Sequence, residues 1–152
     1  MRSRRLIEWV AALLSGAAGV IHLQFGPIHL EEDALHGTFF YVVGFAQLAS
    51  AVLLVGLHRR SQLVVRATIA GNLAIAAVWA QTRFIGVPFG AGAGTREAIG
   101  LGDAACTAFE VAIVIALLPL VSRVRLAPFT ERAVSMHVIR DEEGHLVSPF
   151  GH

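Results

Sequence analysis

Residues 38–57 read TFFYVVGFAQLASAVLLVGL, twenty consecutive positions without a charged side chain. As a helix this stretch is about 30 Å long, which matches the hydrocarbon thickness of a bilayer. Three further apolar runs, 6–23, 68–85 and 104–121, approach the same length. The sequence therefore predicts an all-α fold, a bundle of four transmembrane helices formed by residues 1–125.

The composition agrees with this prediction. Of 152 residues, 55% are hydrophobic and only 15% are charged, whereas a soluble domain carries more charge. The formal net charge is +1, so the chain has no strong positive field that would attract nucleic acid. We expect the lipid bilayer as its partner, no nucleic acid, and assembly as a homo-oligomer or within a larger membrane complex.

Arginines lie before the first span, between the second and third, and after the fourth. By the positive-inside rule, these segments are cytoplasmic. We therefore expect a multi-pass protein of the cell (plasma) membrane with both termini in the cytoplasm and with the connections 25–37 and 86–102 facing outward. The arginines that flank the spans in these segments are Arg2, Arg4 and Arg5; Arg59, Arg60 and Arg66; and Arg123 and Arg125, whereas the two outward connections hold the single Arg96.

Residues 126–152 are polar enough to form a short cytoplasmic tail. Residues 133–140 and 145–150 have the pattern of two strands, and Asp-Glu-Glu-Gly at 141–144 is typical of the turn between them. We expect a β-hairpin here, which would need the bundle or a partner to order it.

Each span carries polar residues at helical spacing along one face, which is expected to turn away from lipid. These positions can serve helix packing or form a polar relay. We expect an inner cofactor-binding site from Arg83, Asp103 and Glu110, with Arg83 as the cation that pairs with Glu110. Gln47 and Trp79 lie on the corresponding faces and complete this predicted site.

The stretch 22–36, HLQFGPIHLEEDALH, holds three histidines at seven-residue intervals and three carboxylates. Pro27 is suited to the first position of a helix over 27–37. Imidazole and carboxylate groups on one helix face can bind zinc, copper, iron or manganese. The alternative is an acidic, solvated loop whose histidines only titrate. The predicted metal ligands are His22, His29, Glu32, Asp33 and His36.

Cys106 is the only cysteine, and it lies in an apolar stretch. A single thiol cannot form an internal disulfide or a cysteine-based zinc site, so the sequence favours a metal held by histidines and carboxylates. The other outer connection, RFIGVPFGAGAGTRE at 83–97, is glycine-rich but lacks the pattern of a phosphate loop. We expect it to fold back over the bundle mouth as a lid that brings Arg96 and Glu97 toward His29 and Glu32.

Three short motifs carry a resemblance: GxIH at 19–22, GxxQL at 44–48 and RxxGxPFG at 83–90. With them the chain resembles a group of uncharacterised bacterial four-helix membrane proteins. More loosely, its order of four spans is similar to the DoxX-like family, small membrane proteins linked to redox and thiol homeostasis. The resemblance implies a fold and gives little about function.

The leading hypothesis is a membrane protein whose outer mouth binds a metal ion or a small redox ligand. One alternative is a non-catalytic accessory or assembly subunit, in which the polar faces serve packing. Another is a small proton-coupled transporter with Glu110 as carrier. The sequence leaves open whether the chain is catalytic.

Overall fold

The structure, a computed structural model, describes residues 2–56, 62–90 and 92–121 and the short pairs 139–140 and 146–147. The chain divides into two units, 1–122 and 123–152. The first unit is helical, and the second contributes two short strands.

Four long helices form the first unit, as the apolar runs predict. They are α1 (Arg2–Glu32), α2 (Ala34–Gly56), α3 (Gln62–Ala80) and α4 (Leu101–Leu117). A π-helical turn (Gln81–Ile85) extends α3, and a 3-10 turn (Leu118–Leu120) follows α4. Within the described residues, all four stretches are long and apolar enough to cross a bilayer.

The bundle exposes apolar side chains and buries polar ones. Large hydrophobic residues such as Leu13, Phe45 and Ile115 lie on its outer surface. A helical bundle in water would show the opposite pattern. The predicted inward orientation of the polar faces is confirmed by the buried polar residues, which include Ser15, His22, Gln47, Thr68, Asn72 and Glu110.

α1 and α2 pack closely through glycine. A Cβ on Gly19 would lie 2.9 Å from the carbonyl oxygen of Gly44, and a Cβ on Gly44 would lie 2.8 Å from the side chain of Leu23. Near the junction of the two helices, a Cβ on Gly37 would overlap the backbone of Leu30. Small residues at these positions let two backbones approach closely, as in helix pairs within membranes.

The boundary between the first two helices differs from the predicted one. Pro27 lies inside α1 instead of beginning a separate helix, and Asp33 is the only residue between α1 and α2. Oδ1 of Asp33 accepts hydrogen bonds from the backbone N–H groups of Leu35 (2.7 Å) and His36 (3.2 Å). Asp33 is therefore the N-cap of α2, because its carboxylate satisfies two backbone N–H groups in the first turn of the helix. The start of the second helix is determined by this cap and not by the proline.

The apolar core lies toward the end of the bundle where α1 and α3 begin. At this end Nε2 of Gln62 donates to the backbone carbonyl of Leu120 at 3.1 Å, but most of the buried polar side chains lie in the other half. The core consists of Ala11, Ala12, Leu54, Val65, Ile69, Ile113 and Leu117.

In the second unit, β1 (Ile139–Arg140) pairs antiparallel with β2 (Leu146–Val147). Ile139 lies opposite Val147, and Arg140 lies opposite Leu146. Both strands fall within the predicted strand regions 133–140 and 145–150. The rest of the predicted hairpin lies outside the described residues.

Candidate functional site

A cavity opens between the four helices in the polar half of the bundle. Its volume is about 680 Å³, including its open mouth. It brings together most of the residues that the sequence singles out, although they come from helices far apart in the chain. Those that line it are His22, His29, His36, Trp79, Arg83, Asp103 and Glu110.

Three side chains meet at the inner end of this cavity: His22 of α1 and Cys106 and Glu110 of α4. Their relative exposures are 6%, 5% and 1%. Nε2 of His22 lies 3.8 Å from Oε1 of Glu110, and Sγ of Cys106 lies 3.9 Å from the same oxygen. Of the described residues, only these three offer a set of imidazole, thiol or carboxylate ligand atoms within 4.8 Å of one another.

Gln47 of α2 holds this cluster in place. Its Nε2 donates to Oε1 of Glu110 (3.2 Å) and, over a longer distance, to Oδ1 of Asn72 (3.4 Å). Asn72 in turn donates its Nδ2 hydrogen to the backbone carbonyl of Thr68 at 2.8 Å. A backbone carbonyl can only accept, so the Asn72 amide must present its nitrogen to Thr68 and its oxygen to Nε2 of Gln47. Oε1 of Gln47 is then the atom that faces His22.

The same network determines the tautomer of His22. Its Nδ1 lies 3.0 Å from Oε1 of Gln47 and 3.1 Å from the carbonyl oxygen of Ala18, both of which are acceptors. The network therefore assigns the proton to Nδ1. The lone pair of Nε2 is left free, and it faces Glu110.

Glu110 has an unused acceptor. Its Oε2 is buried and has no hydrogen-bond partner within the described part of the chain. A buried carboxylate oxygen without a partner is costly, so this atom is a place where a ligand or ion could bind.

Arg83 pairs with different residues from the one predicted. Its guanidinium group donates to Glu97 and to Oδ2 of Asp103 (2.7 Å). The predicted pair of Arg83 with Glu110 is wrong because Arg83 contacts Asp103 in the first turn of α4, whereas Glu110 lies about two turns further along this helix. At that depth the amide of Gln47 is the partner of Glu110.

No three of the predicted ligands His29, Glu32, Asp33 and His36 bring their ligand atoms within 4.8 Å of one another. Nδ1 of His29 is 3.4 Å from Oε2 of Glu32, and Nδ1 of His36 is 4.0 Å from Oδ1 of Asp33. The same Asp33 oxygen caps α2. The five predicted metal ligands are therefore divided among two outer pairs and the inner cluster that holds His22.

The connection after α3 folds back toward these outer pairs, as predicted. It is ordered by a bridge between Val87 and Ala93. A Cβ on Gly90 would lie 2.8 Å from Oδ2 of Asp33, so this part of the connection contacts the junction of α1 and α2. Glu97, however, pairs with Arg83 instead of reaching His29 and Glu32.

Cys106 is the site residue that the sequence interpretation missed. A lone cysteine cannot make a cysteine-based zinc site, but it can be one ligand of a mixed set. The available signal was its spacing, because Cys106 precedes Glu110 by four residues and therefore lies on the same helix face. The contact of both with His22 depends on how α1 packs against α4.

Comparisons of the chain with protein-family models, with curated proteins and with solved structures found no match. Its function is therefore inferred from the side chains of the cavity.

Proposed function

We propose that this protein is a membrane protein that binds one zinc ion inside its four-helix bundle. The ligands are Nε2 of His22, Sγ of Cys106 and a carboxylate oxygen of Glu110. The observation that carries the proposal is the convergence of these three buried ligand atoms, one of which belongs to a carboxylate with an unpartnered oxygen.

The spacing of the cluster supports this assignment. Around a tetrahedral zinc ion with bonds of 2.0 to 2.3 Å, neighbouring ligand atoms are about 3.3 to 3.8 Å apart. In the structure, Oε1 of Glu110 lies 3.8 Å from Nε2 of His22 and 3.9 Å from Sγ of Cys106. Sγ of Cys106 lies 3.3 Å from Nδ1 of His22, so the thiol or the imidazole ring has to turn for Sγ and Nε2 to face one ion.

Charge supports a divalent ion. A thiolate and a carboxylate together neutralise Zn²⁺, and a neutral imidazole adds no charge. Buried groups of zero net charge avoid the large desolvation penalty of an isolated ion. Gln47 holds the other nitrogen of His22, which is the usual arrangement for a metal-binding histidine.

The mixture of ligands favours zinc over the other metals that the sequence suggests. Thiolate ligands favour copper(I) and zinc, whereas carboxylate ligands favour harder ions such as manganese. Zinc binds all three ligand types. Three protein ligands leave one tetrahedral position for water or a substrate, as in catalytic zinc sites.

We place the four helices in the cell membrane with both termini in the cytoplasm. Their length and apolar outer surfaces support a bilayer. The arginine distribution supports the orientation. In this orientation the cavity, which contacts the connection after α3, opens on the outer side.

The test is the zinc content of protein purified in mild detergent, incubated with zinc and freed of unbound metal. We expect stoichiometric zinc in the unchanged protein and its loss in Cys106→Ser and Glu110→Gln. His29→Ala and His36→Ala are matched controls, because they remove histidines from the same cavity but leave the three ligands. Absence of zinc from the unmutated protein would refute the proposal. Loss of zinc in His29→Ala or His36→Ala would refute this set of ligands and place the metal at those histidines instead.

A further inference from the structure

Two residues that line the outer part of the cavity each carry a buried hydrogen-bond donor with no acceptor in the described part of the chain. The donors are Nε1 of Trp79 and Nε of Arg83. Both residues line the cavity, and they lie one helical turn apart on the same face. Cζ of Arg83 is 5.8 Å from the centre of the Trp79 ring, so the two side chains that carry these donors are neighbours.

Buried donors in native proteins are nearly always paired, so two unpaired donors beside one cavity indicate a missing acceptor. The protein supplies acceptors to the terminal nitrogens of Arg83, which bind Glu97 and Asp103. It supplies none to Nε. An oxygen atom of a ligand in the cavity would satisfy this donor and the indole N–H.

The charges around Arg83 determine what kind of oxygen this is. Two carboxylates, Glu97 and Asp103, already face its single positive charge. A carboxylate or phosphate ligand would add a further negative charge close to both. A neutral carbonyl oxygen accepts hydrogen bonds without this repulsion.

The walls of the cavity indicate that the rest of the ligand is apolar. Phe25, Phe39 and Phe40 line it together with the aliphatic side chains of Ile75 and Val78. Apolar and aromatic walls with a few polar groups are typical of sites for small, largely apolar ligands.

We propose that the outer part of the cavity binds a neutral, largely apolar carbonyl compound. Its carbonyl oxygen accepts from Nε1 of Trp79 and Nε of Arg83, and its apolar body packs against Phe25, Phe39 and Phe40. The inference goes beyond the zinc proposal and does not rest on it, because none of these residues is a zinc ligand.

Acetophenone is a suitable probe, with ethylbenzene and benzoate as compounds of similar size that lack the carbonyl or carry a charge. The chain has two tryptophans, so Trp9→Phe leaves Trp79 as the only one. In this background, quenching of Trp79 fluorescence in detergent reports acetophenone binding, and the other two compounds are added as competitors. We expect saturable quenching by acetophenone and at least tenfold weaker competition by ethylbenzene and by benzoate.

Arg83→Lys keeps the charge and removes Nε, so we expect it to weaken acetophenone binding at least fivefold. Arg96→Lys is the matched control, since Arg96 is exposed and does not line the cavity. If Arg83→Lys fails to fold, Trp79→Phe removes the other donor, and binding is then measured by saturation-transfer NMR.

Equal competition by ethylbenzene, stronger competition by benzoate, or unchanged binding in both donor variants would overturn the proposal. The same measurements on Cys106→Ser, which lacks the thiolate ligand, should give the same affinity. The carbonyl-compound proposal can therefore fail while the zinc proposal holds, and the zinc proposal can fail while the carbonyl-compound proposal holds.

Discussion

Nε2 of His22 lies 3.8 Å from Oε1 of Glu110, while Nδ1 of the same ring is held by the amide of Gln47. The ring thus directs its free nitrogen toward a carboxylate on another helix. His22 and Glu110 are 88 positions apart in the sequence, and Gln47, from a third helix, fixes the direction in which the imidazole faces the carboxylate.

Replacing zinc by cobalt should show the thiolate directly. Because Cys106 is proposed as a ligand, Co²⁺-loaded protein should have a sulfur-to-cobalt charge-transfer band and the visible spectrum of a tetrahedral ion. Absorption spectroscopy checks this. We expect Cys106→Ser to lose the charge-transfer band and His29→Ala to keep it. A weak spectrum typical of octahedral oxygen ligands would contradict the assignment.

Gln47→Leu should weaken zinc binding by about 10- to 100-fold, because the residue that orients a metal-binding histidine is lost. Competition with a chelator of known affinity measures the change. Ser15→Ala is the control, since Ser15 donates only to the backbone carbonyl of Gln47 at 2.8 Å. An unchanged affinity in Gln47→Leu would mean that the ring direction of His22 has no part in the site.

Arg83 and Asp103 should be coupled in stability, whereas Arg83 and Glu110 should not. Residues in direct ionic contact show coupling energies of about 0.5 to 3 kcal/mol, and residues without shared partners are additive. Double-mutant cycles with Arg83→Met, Asp103→Asn and Glu110→Gln, measured by unfolding in detergent, check both expectations. Coupling of Arg83 with Glu110 as large as with Asp103 would contradict the observed pairing.

Gly44→Ala should lower the unfolding temperature, because the added Cβ would lie 2.8 Å from Leu23 and 3.0 Å from the carbonyl oxygen of Gly19. Overpacking of this kind typically costs about 1 to 3 kcal/mol. Gly16→Ala is a matched control on α1, since a Cβ there meets nothing within 4 Å. Equal effects of the two substitutions would show that α1 and α2 are not in close contact at Gly44.

Reporter fusions test the proposed orientation. A reporter joined after Arg125 should be cytoplasmic, and one inserted near Gly92 should lie on the outer side, because the arginines favour that arrangement. Alkaline phosphatase, which is active only outside the cytoplasm, and a fluorescent protein that folds inside it give opposite signals. A phosphatase that is active after Arg125 would reverse the orientation or change the number of spans.

The helices and their inward faces could be predicted because both depend on local pattern. Apolar runs of membrane length predict the four helices, and helical spacing places Gln47 and Glu110 on inward faces. The end of α1 was less predictable, since Pro27 and Asp33 are both signals for a helix start and only the structure shows that the carboxylate caps α2.

The side-chain contacts between helices could not be predicted from local sequence pattern. Spacing shows that Glu110 faces inward, but not whether Arg83 or Gln47 reaches it. That depends on the depth of each side chain in the bundle, which is set by how the helices are offset along their axes. The partnership of Cys106 with His22 depends on the same offset between α1 and α4.

The junction at Asp33 has a consequence for the biosynthesis of the protein. With a single residue between α1 and α2 and a capped start to the second helix, the two segments cannot be separated by more than a few ångströms at that end. We expect them to leave the translocation machinery and enter the lipid together as a preformed hairpin. Residues inserted next to Asp33 would uncouple the two insertion events, and the first segment would then be free to enter the lipid alone.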